Sequence, residues 1–213
     1  MNRLTNNLES IVEHIRLIFS AKDAAREKAL PLCREVIRHC GNAIRAVHRQ
    51  DFDQAKELLQ SARNLLNEAE QAVAEYNELS HAGFIRDAQK EFAEGSVTLA
   101  LVTGNQLPDP SKLGIEPAAY LNGLGEAVGE LRRYLLDSMR KGDLSRGEEI
   151  LSAMDDIYSI LVTMDFPDAI TGGLRRTTDM VRGVLERTRS DLTLAITQKD
   201  LEGKLNSFEQ KLK

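Results

Sequence analysis

Four glutamates, arranged as two pairs, are the residues of this sequence best suited to chemistry. Glu91 and Glu94 stand in "QKEFAEGS", and Glu126 and Glu130 stand in "YLNGLGEAVGELRRY", residues 120–134. Residues three or four apart lie on one face of a helix, so each pair presents two carboxylates together. Such carboxylates repel each other unless a cation lies between them, and oxygen ligands suit Mg²⁺ or Mn²⁺. An ion of this kind can hold a phosphodiester and activate water for its hydrolysis.

Glycines accompany both pairs. Gly95 follows the first pair, while Gly123, Gly125 and Gly129 surround the second. Each glycine inside a helix costs about 1 kcal/mol relative to alanine. Two interpretations remain open at this point. The glycines make room for another backbone, a metal or a phosphate beside the carboxylates, or they only permit close packing of helices whose glutamates are solvated.

The elements that must position these side chains are helices. Apolar residues recur with a period of 3.6 along most of the chain, and the alternation typical of strands is nearly absent. Aromatic residues make up only 5%, tryptophan is absent and there are five prolines, which suits long helices with an aliphatic core. We predict an all-α fold, a single domain over residues 1–213 with about seven long antiparallel helices.

The pattern also predicts where these helices begin and end. The first starts at Leu4, and Pro31 bends or interrupts the second. Asp51 or Asp53 caps the third, and Asp143 caps the sixth. The predicted ranges are 4–18, 22–49, 51–78, 84–103, 117–142, 143–164 and 165–197, followed by an amphipathic tail helix over 201–212.

A stripe of arginines marks one face of the second predicted helix. Arg34, Arg38, Arg45 and Arg49 are spaced by four, seven and four residues, with His48 at the edge. The net charge of −5 argues weakly against a wholly exposed nucleic-acid surface, but not against a local basic stripe. The guanidinium fork matches phosphate oxygens, so this stripe is a candidate for binding nucleic acid. The alternative is a solvated charged face.

The seventh predicted helix contains weaker candidates for phosphate binding. Arg175, Arg176 and Arg182 lie there, but Asp179 and Glu186 follow two of them by four residues. Ion pairs along the helix can therefore occupy part of this positive charge.

The two cysteines indicate free thiols. Cys33 and Cys40 are seven residues apart in one predicted helix, which separates their Cα atoms by about 10 Å, too far for a disulfide. Buried free thiols are typical of cytoplasmic proteins, and we expect that location. No apolar run is long enough to span a membrane, and the segment "MNRLTNNLES" lacks the apolar core of a signal peptide.

The sequence resembles the translin/Trax family, and archaeal Trax-like members most closely. The similar segments are "REVIRHCGNAIRAVHR" (34–49), "QKEFAEG" (89–95), "YLNGLGEAVGELRR" (120–133) with "KGD" (141–143), and "MDFPDAITGGLRRTTDMVRGVLERTRSDLT" (164–193). The resemblance implies about seven helices and assembly into hollow oligomers, commonly octamers, that bind RNA or single-stranded DNA inside. It also implies that Trax-type subunits have a Mg²⁺-dependent endoribonuclease site built from acidic residues.

The acidic positions of the family match Glu91 and Glu94, then Glu126 and Glu130. Family members usually have Asp at the position of Glu126, so this site has the same charge on a side chain one methylene longer. Together with this resemblance, the sequence predicts a cytoplasmic endoribonuclease that uses Mg²⁺ or Mn²⁺, with these four glutamates as catalytic residues and metal ligands, and the resemblance implies a homo-octamer. The alternatives are a nucleic-acid-binding protein without catalysis and a helical scaffold.

Overall fold

The computed structural model describes residues 5–212, with side chains through residue 211, and within this range there are helices but no β-strand. The all-α prediction is therefore confirmed, while Leu4 lies outside the described residues. Six helices of this part of the chain are long and three have a single turn. They are α1 (Leu8–His48), α2 (Phe52–Val73), α3 (Asn77–Ser80), α4 (Gly83–Val102), α5 (Pro110–Leu113), α6 (Pro117–Arg140), α7 (Gly147–Val162), α8 (Asp168–Thr171) and α9 (Leu174–Leu212).

Helix α1 is continuous over 41 residues, so the predicted division into two helices is wrong. Pro31 lies within the helix on its exposed side. Ala29, Cys33 and Val36 are buried on the opposite side, and they hold the helix against the core on both sides of the proline. Tertiary packing thus outweighs the backbone hydrogen bond that the proline removes.

Helices α4 and α6 are neighbours in the middle of the packing order. Helix α1 packs against α2 and α4, α4 packs against α6, and α6 packs in turn against α7 and α9. Small side chains such as Ala88, Ala93 and Ala127 are fully buried along these contacts. Since α4 contains the first glutamate pair and α6 the second, the fold places the two pairs on adjoining helices.

A glycine corner separates α8 from α9. Gly172 and Gly173 have φ values of 62° and 88°, a left-handed conformation that favours glycine. The predicted seventh helix therefore begins nine residues late, at Leu174, and then continues without a break through the predicted tail helix. Asn122 of α6 fixes this corner, since its Nδ2 donates to the carbonyl oxygen of Thr171 and its Oδ1 accepts from Thr177, at 2.8 and 2.7 Å.

Two predicted caps have different outcomes. The side chain of Asp51 accepts a hydrogen bond from the backbone N–H of Gln54 and caps α2, as predicted. Asp143 instead accepts from the N–H of Ser145 in a turn, and α7 begins only at Gly147. The helix predicted to reach residue 78 ends at Val73, and the single turn of α3 follows it.

Both cysteines are free and buried, which confirms that prediction. Burial, followed by the charge of Glu70, raises the pKa of Cys33 to about 11, and burial also raises the pKa of Cys40. Neither thiol is therefore a reactive thiolate near neutral pH.

Apolar side chains are exposed along the first half of α1 and the last part of α9. Those of α1 are Leu8, Ile11, Val12, Ile15, Leu17, Ile18 and Phe19, and those of α9 are Leu194, Leu201, Leu205 and Phe208. No described helix is long and apolar enough to cross a membrane.

Candidate metal centre and nucleic-acid interface

Three of the four glutamates lie together between α4 and α6. One carboxylate oxygen from each of Glu91, Glu94 and Glu126 can be chosen so that all three atoms lie within 4.8 Å of one another. All three residues are partly buried. This group, called the carboxylate cluster below, joins the Glu-x-x-Glu pair of α4 to the first glutamate of α6.

Gly123 determines how closely α6 approaches α4. A Cβ atom built on Gly123 would lie 2.5 Å from the carbonyl oxygen of Lys90 and 2.6 Å from the Cβ of Ala93. Any side chain at this position would therefore push the two backbones apart. Since Glu126 follows Gly123 by one helical turn, this contact brings its carboxylate to Glu91 and Glu94.

The other glycines beside the glutamates serve different purposes. Gly125 packs against Thr177 of α9, and a Cβ on Gly95 would lie 3.0 Å from Leu59, so both permit close packing. Gly129 faces open space, with no atom within 4 Å of a Cβ built there. Gly123 thus supports the interpretation that a glycine makes room for a neighbouring backbone, whereas Gly95 and Gly125 support the interpretation of close packing.

Burial and mutual repulsion change the acidity of the carboxylate cluster. Burial, followed by the charges of Glu91, Glu126 and Glu130, raises the pKa of Glu94 to about 8. Burial likewise raises the pKa of Glu91, with the charges of Glu126 and Asp87 acting in the same direction. Without a cation, Glu94 therefore holds a proton at neutral pH.

Lys90 is a neighbour of the cluster that the sequence analysis missed. Its Nζ lies 2.8 Å from Oε1 of Glu126 in a partly buried ion pair. Burial alone would lower the pKa of Lys90, but the hydrogen bond to Glu126 and the nearby carboxylates together raise it. The sequence offered one signal, because Arg86 and Lys90 form a basic pair one turn apart that immediately precedes the acidic pair.

The cluster suits a hard divalent cation. It offers three carboxylate oxygens within reach of one ion, and oxygen donors are those that Mg²⁺ and Mn²⁺ prefer. A bound cation would favour the ionised form of Glu94 and would compete with Lys90 for Glu126. The residues present therefore fit such an ion.

Glu130, the fourth predicted ligand, lies outside the carboxylate cluster and pairs with His48. Its Oε2 is 2.5 Å from Nε2 of His48 and 3.8 Å from Nη1 of Arg133. The hydrogen bond with His48, aided by the charges of His48 and Arg133, lowers the pKa of Glu130 although burial opposes the shift. The side chain of His48 is only 5% exposed, so it faces this carboxylate and not a surface ligand.

The four arginines predicted to bind nucleic acid are all exposed, three of them on α1 and Arg49 directly after its last residue. Arg38 is paired with Glu35, while Arg45 donates to Asn42. Arg49 donates to Gln54 at 2.8 Å, and Arg34 has no ion pair with another described residue. The stripe ends beside His48, so the basic face of α1 leads to the carboxylate that His48 contacts.

The predicted arginines of α9 fall into two groups. Arg182 forms the expected ion pair with Glu186 at 3.1 Å, and both it and Arg175 line a cleft beside the segment 164–168. Arg176 instead faces a cavity that it shares with Lys90 and Glu126. Of the three, Arg176 is the one that lines a cavity with a member of the carboxylate cluster.

Comparison with known sequences finds a curated relative, whereas no family model matches. An uncharacterised protein of Methanocaldococcus jannaschii is 32% identical over 180 residues, covering 82% of this chain and 78% of the relative.

Solved structures share the fold over most of the chain. A structure of AfC3PO in complex with duplex RNA is 34% identical with a TM-score of 0.81, covering 88% of this chain and 97% of that chain. A crystal structure of AfC3PO gives 34% identity and a TM-score of 0.80 with the same coverage. Apo-NeC3PO is 17% identical with a TM-score of 0.75, over 91% of this chain and all of that chain, and shows the likeness of fold alone.

Proposed function

Since this chain belongs to the translin/Trax family, we propose that it binds RNA and hydrolyses it as a Mg²⁺-dependent endoribonuclease. The observation that supports catalysis is the carboxylate cluster, in which one oxygen from each of Glu91, Glu94 and Glu126 lies within 4.8 Å of the other two. The observation that supports RNA as the ligand is the complex of the 34% identical AfC3PO with duplex RNA.

The residues divide the chemistry among them. Glu91, Glu94 and Glu126 hold the cation, Mg²⁺ or Mn²⁺, which supplies stabilisation of phosphoryl oxygens and acidification of a bound water. Glu130 stays ionised at neutral pH because His48 lowers its pKa, and it orients the attacking water as a hydrogen-bond acceptor. A carboxylate with a raised pKa, such as Glu94, is less suited to that task.

The exposed arginine stripe, residues 34–49, binds the RNA backbone. Guanidinium groups contact phosphates without regard to sequence, so Arg34, Arg38, Arg45 and Arg49 supply affinity and not base specificity. Arg175, Arg176 and Arg182 are further candidates on α9. His48 serves the site through Glu130, since its side chain is buried.

A second candidate function is binding of single-stranded RNA or DNA without hydrolysis. The ion pair of Lys90 with Glu126 favours it, because it neutralises one carboxylate of the cluster without any metal. The two functions are distinguished by whether a divalent cation displaces Lys90 from Glu126.

We further propose that the chain forms a homo-oligomer, with the octamer of the family as the expected state. The exposed apolar side chains of α1 and α9 support this proposal, since Leu17 and Phe19 are each 64% exposed and Phe208 is 61% exposed. Apolar surface of this extent is typical of protein interfaces.

Cleavage of a labelled RNA with Mg²⁺ and with EDTA tests the proposed function. We expect cleavage by the wild type in Mg²⁺ only, and none by Glu126→Gln. Glu148→Gln is the matched control, because Glu148 is an exposed glutamate of α7 outside the site. Cleavage that persists in EDTA, or that is equal in Glu126→Gln and the control, contradicts the proposal. RNA binding without any cleavage supports the second candidate.

A further inference from the structure

A cavity of about 420 Å³ adjoins the carboxylate cluster. It lies between α4, α6 and the glycine corner that joins α8 to α9. Glu126 of the cluster lines it, and so does Lys90, the ion-pair partner of Glu126. A group bound in this cavity would therefore be a direct neighbour of a cation held by the cluster.

Two arginines line this cavity without partners of their own. Arg86 of α4 and Arg176 of α9 are exposed, and neither forms an ion pair or side-chain hydrogen bond with another described residue. They differ in this from Arg38 and Arg182, each of which is paired with a glutamate. A guanidinium fork with free donors suits the oxygens of a phosphate group.

The glycine corner forms one wall of the cavity, since Gly172 and Gly173 line it. The backbone N–H of Gly173 makes no backbone hydrogen bond within the described structure, and Arg176 and Thr177 of the first turn of α9 line the same cavity. The positive end of a long helix favours an anion. The hydrogen bonds of Asn122 to Thr171 and Thr177 hold the corner against α6, so this wall is formed before any ligand arrives.

Carboxylates balance the positively charged side chains of the cavity when no metal is bound. Asp87, Glu126 and Asp168 also line the cavity, and their three carboxylates offset the three positive charges of Lys90 and the two arginines. An anion that binds without a metal ion therefore gains little electrostatic attraction in this cavity. The balance changes if a cation binds the cluster, because Lys90 and the cation compete for Glu126.

We propose that this cavity binds the phosphate adjacent, along the RNA strand, to the phosphate hydrolysed at the carboxylate cluster. Arg86 and Arg176 contact its oxygens, and Lys90 joins them once a cation has taken Glu126. The proposal rests on the proposed function and adds to it a coupling, since cation binding at the cluster strengthens RNA binding in the cavity. Lys90 is the residue through which the two sites communicate.

The first test measures binding of a short labelled RNA to wild type, Arg86→Gln and Arg176→Gln. Ca²⁺ replaces Mg²⁺ as the hard cation, and a gel shows that the RNA stays intact. The control is Arg140→Gln, which removes the same charge at the last turn of α6, about 21 Å along the helix from Glu126. We expect each cavity variant to bind about tenfold more weakly than the control, and its salt slope to fall by about 0.7 to 0.9.

The second test identifies the phosphate. A methylphosphonate, which is uncharged, replaces one phosphate at a time along the RNA. One position should weaken binding to the wild type by about tenfold and have no further effect on Arg86→Gln or Arg176→Gln. Inorganic phosphate tests the other source of this chemistry. If it raises the melting temperature of the wild type but not of the variants, while no methylphosphonate position couples to them, the cavity binds free phosphate and the proposal is overturned.

The third test concerns Lys90. In the wild type, Ca²⁺ should strengthen RNA binding relative to EDTA, and Lys90→Gln should reduce that gain severalfold. An unchanged gain in Lys90→Gln overturns the coupling. Another outcome is that the wild type binds and cleaves RNA while Arg86→Gln and Arg176→Gln bind RNA as tightly as Arg140→Gln. In that case the cavity assignment is wrong and the proposed function stands. A wild type that binds no RNA contradicts the proposed function itself.

Discussion

Nε2 of His48 lies 2.5 Å from Oε2 of Glu130, so the last turn of α1 contacts α6 directly beside the carboxylate cluster. The two residues are 82 positions apart in the sequence. The contact gives Glu130 a hydrogen-bond partner, as Lys90 is for Glu126, whereas the side chains of Glu91 and Glu94 have none among the described residues. Glu130 is stabilised as an anion by its surroundings, whereas Glu94 is destabilised by them.

Replacing Glu130 should therefore lower stability even without metal. Glu130→Ala leaves a buried imidazole nitrogen of His48 without its partner, and we expect a loss of about 1.5 to 3 kcal/mol in the free energy of unfolding. Glu130→Gln keeps an acceptor oxygen and should lose less. Urea unfolding in EDTA measures both values. A Glu130→Ala protein as stable as the wild type would show that the contact with His48 contributes no net stability.

Metal should stabilise the Glu130 variants more than the cluster variants. A ligand of the folded state raises stability by RT ln(1 + [L]/Kd), so Mg²⁺ should raise the melting temperature of the wild type and of Glu130→Gln. In Glu94→Gln, one of the three cluster carboxylates is gone and the rise should be smaller. Melting curves in EDTA and in millimolar Mg²⁺ give the comparison. Equal rises in Glu94→Gln and wild type would exclude Glu94 as a ligand.

Stability without metal should fall as the pH rises from about 4.5 to about 8. Between these values the folded protein holds a proton on Glu94 that the unfolded chain releases, so raising the pH favours unfolding. Glu94→Gln should flatten this slope and melt at a higher temperature than the wild type at pH 9 in EDTA. The rise caused by Mg²⁺ should be larger at pH 9 than at pH 6, because the cation and the proton compete for Glu94. A metal effect that is independent of pH would contradict this account.

Two glycines of α6 should respond oppositely to alanine. In Gly123→Ala the new Cβ meets the backbone of α4, and we expect a loss of about 1 to 3 kcal/mol together with a weaker response to Mg²⁺. In Gly129→Ala the Cβ enters open space, and stability should rise by about 0.5 to 1 kcal/mol. Urea unfolding of the pair checks both signs. If Gly129→Ala is more stable but cleaves RNA poorly, the open space beside Glu130 is used by the substrate.

Removing charge from the stripe on α1 should weaken RNA binding equally for all sequences. Arg34 and Arg45 have no ion pair with a carboxylate in the described structure, so Arg34→Gln with Arg45→Gln removes free positive charge without exposing an unpaired acid. The salt slope should fall by about 0.7 to 0.9 for each phosphate that the variant no longer binds. Fluorescence anisotropy at several salt concentrations provides the slope. An unchanged slope in the folded double variant would mean that the stripe is only a solvated surface.

The sequence was sufficient for the fold class and for the positions of most helices. Apolar periodicity predicted α4 and α6 to within two residues at every end, because their buried faces are regular and their ends have ordinary signals. It failed at Pro31 and at the start of α9. In the first case packing of α1 against the core outweighs a local break, and in the second case Gly172 and Gly173 form a corner that the prediction passed over.

The candidate site contains contacts between helices that the spacing of residues along one helix does not predict. Spacing along α4 and α6 identified the glutamate pairs, but not that Glu126 joins the α4 pair while Glu130 turns to another helix. His48 was grouped with the arginines because it lies at the edge of their stripe. Its contact with Glu130, like that of Lys90 with Glu126, joins separate helices, and helical periodicity carries no information about such partners.

The backbone contact at Gly123 limits the distance between α4 and α6, the two helices that contain the glutamate pairs. A Cβ at Gly123 would meet main-chain atoms of Lys90 and Glu94, so the two helices are in direct contact one turn before Glu126. Substitutions such as valine for a distant leucine can therefore reduce the stability of the protein while leaving the spacing of the carboxylates unaltered. Core substitutions far from Gly123 should in this way change the stability of the fold more than the geometry of the carboxylate cluster.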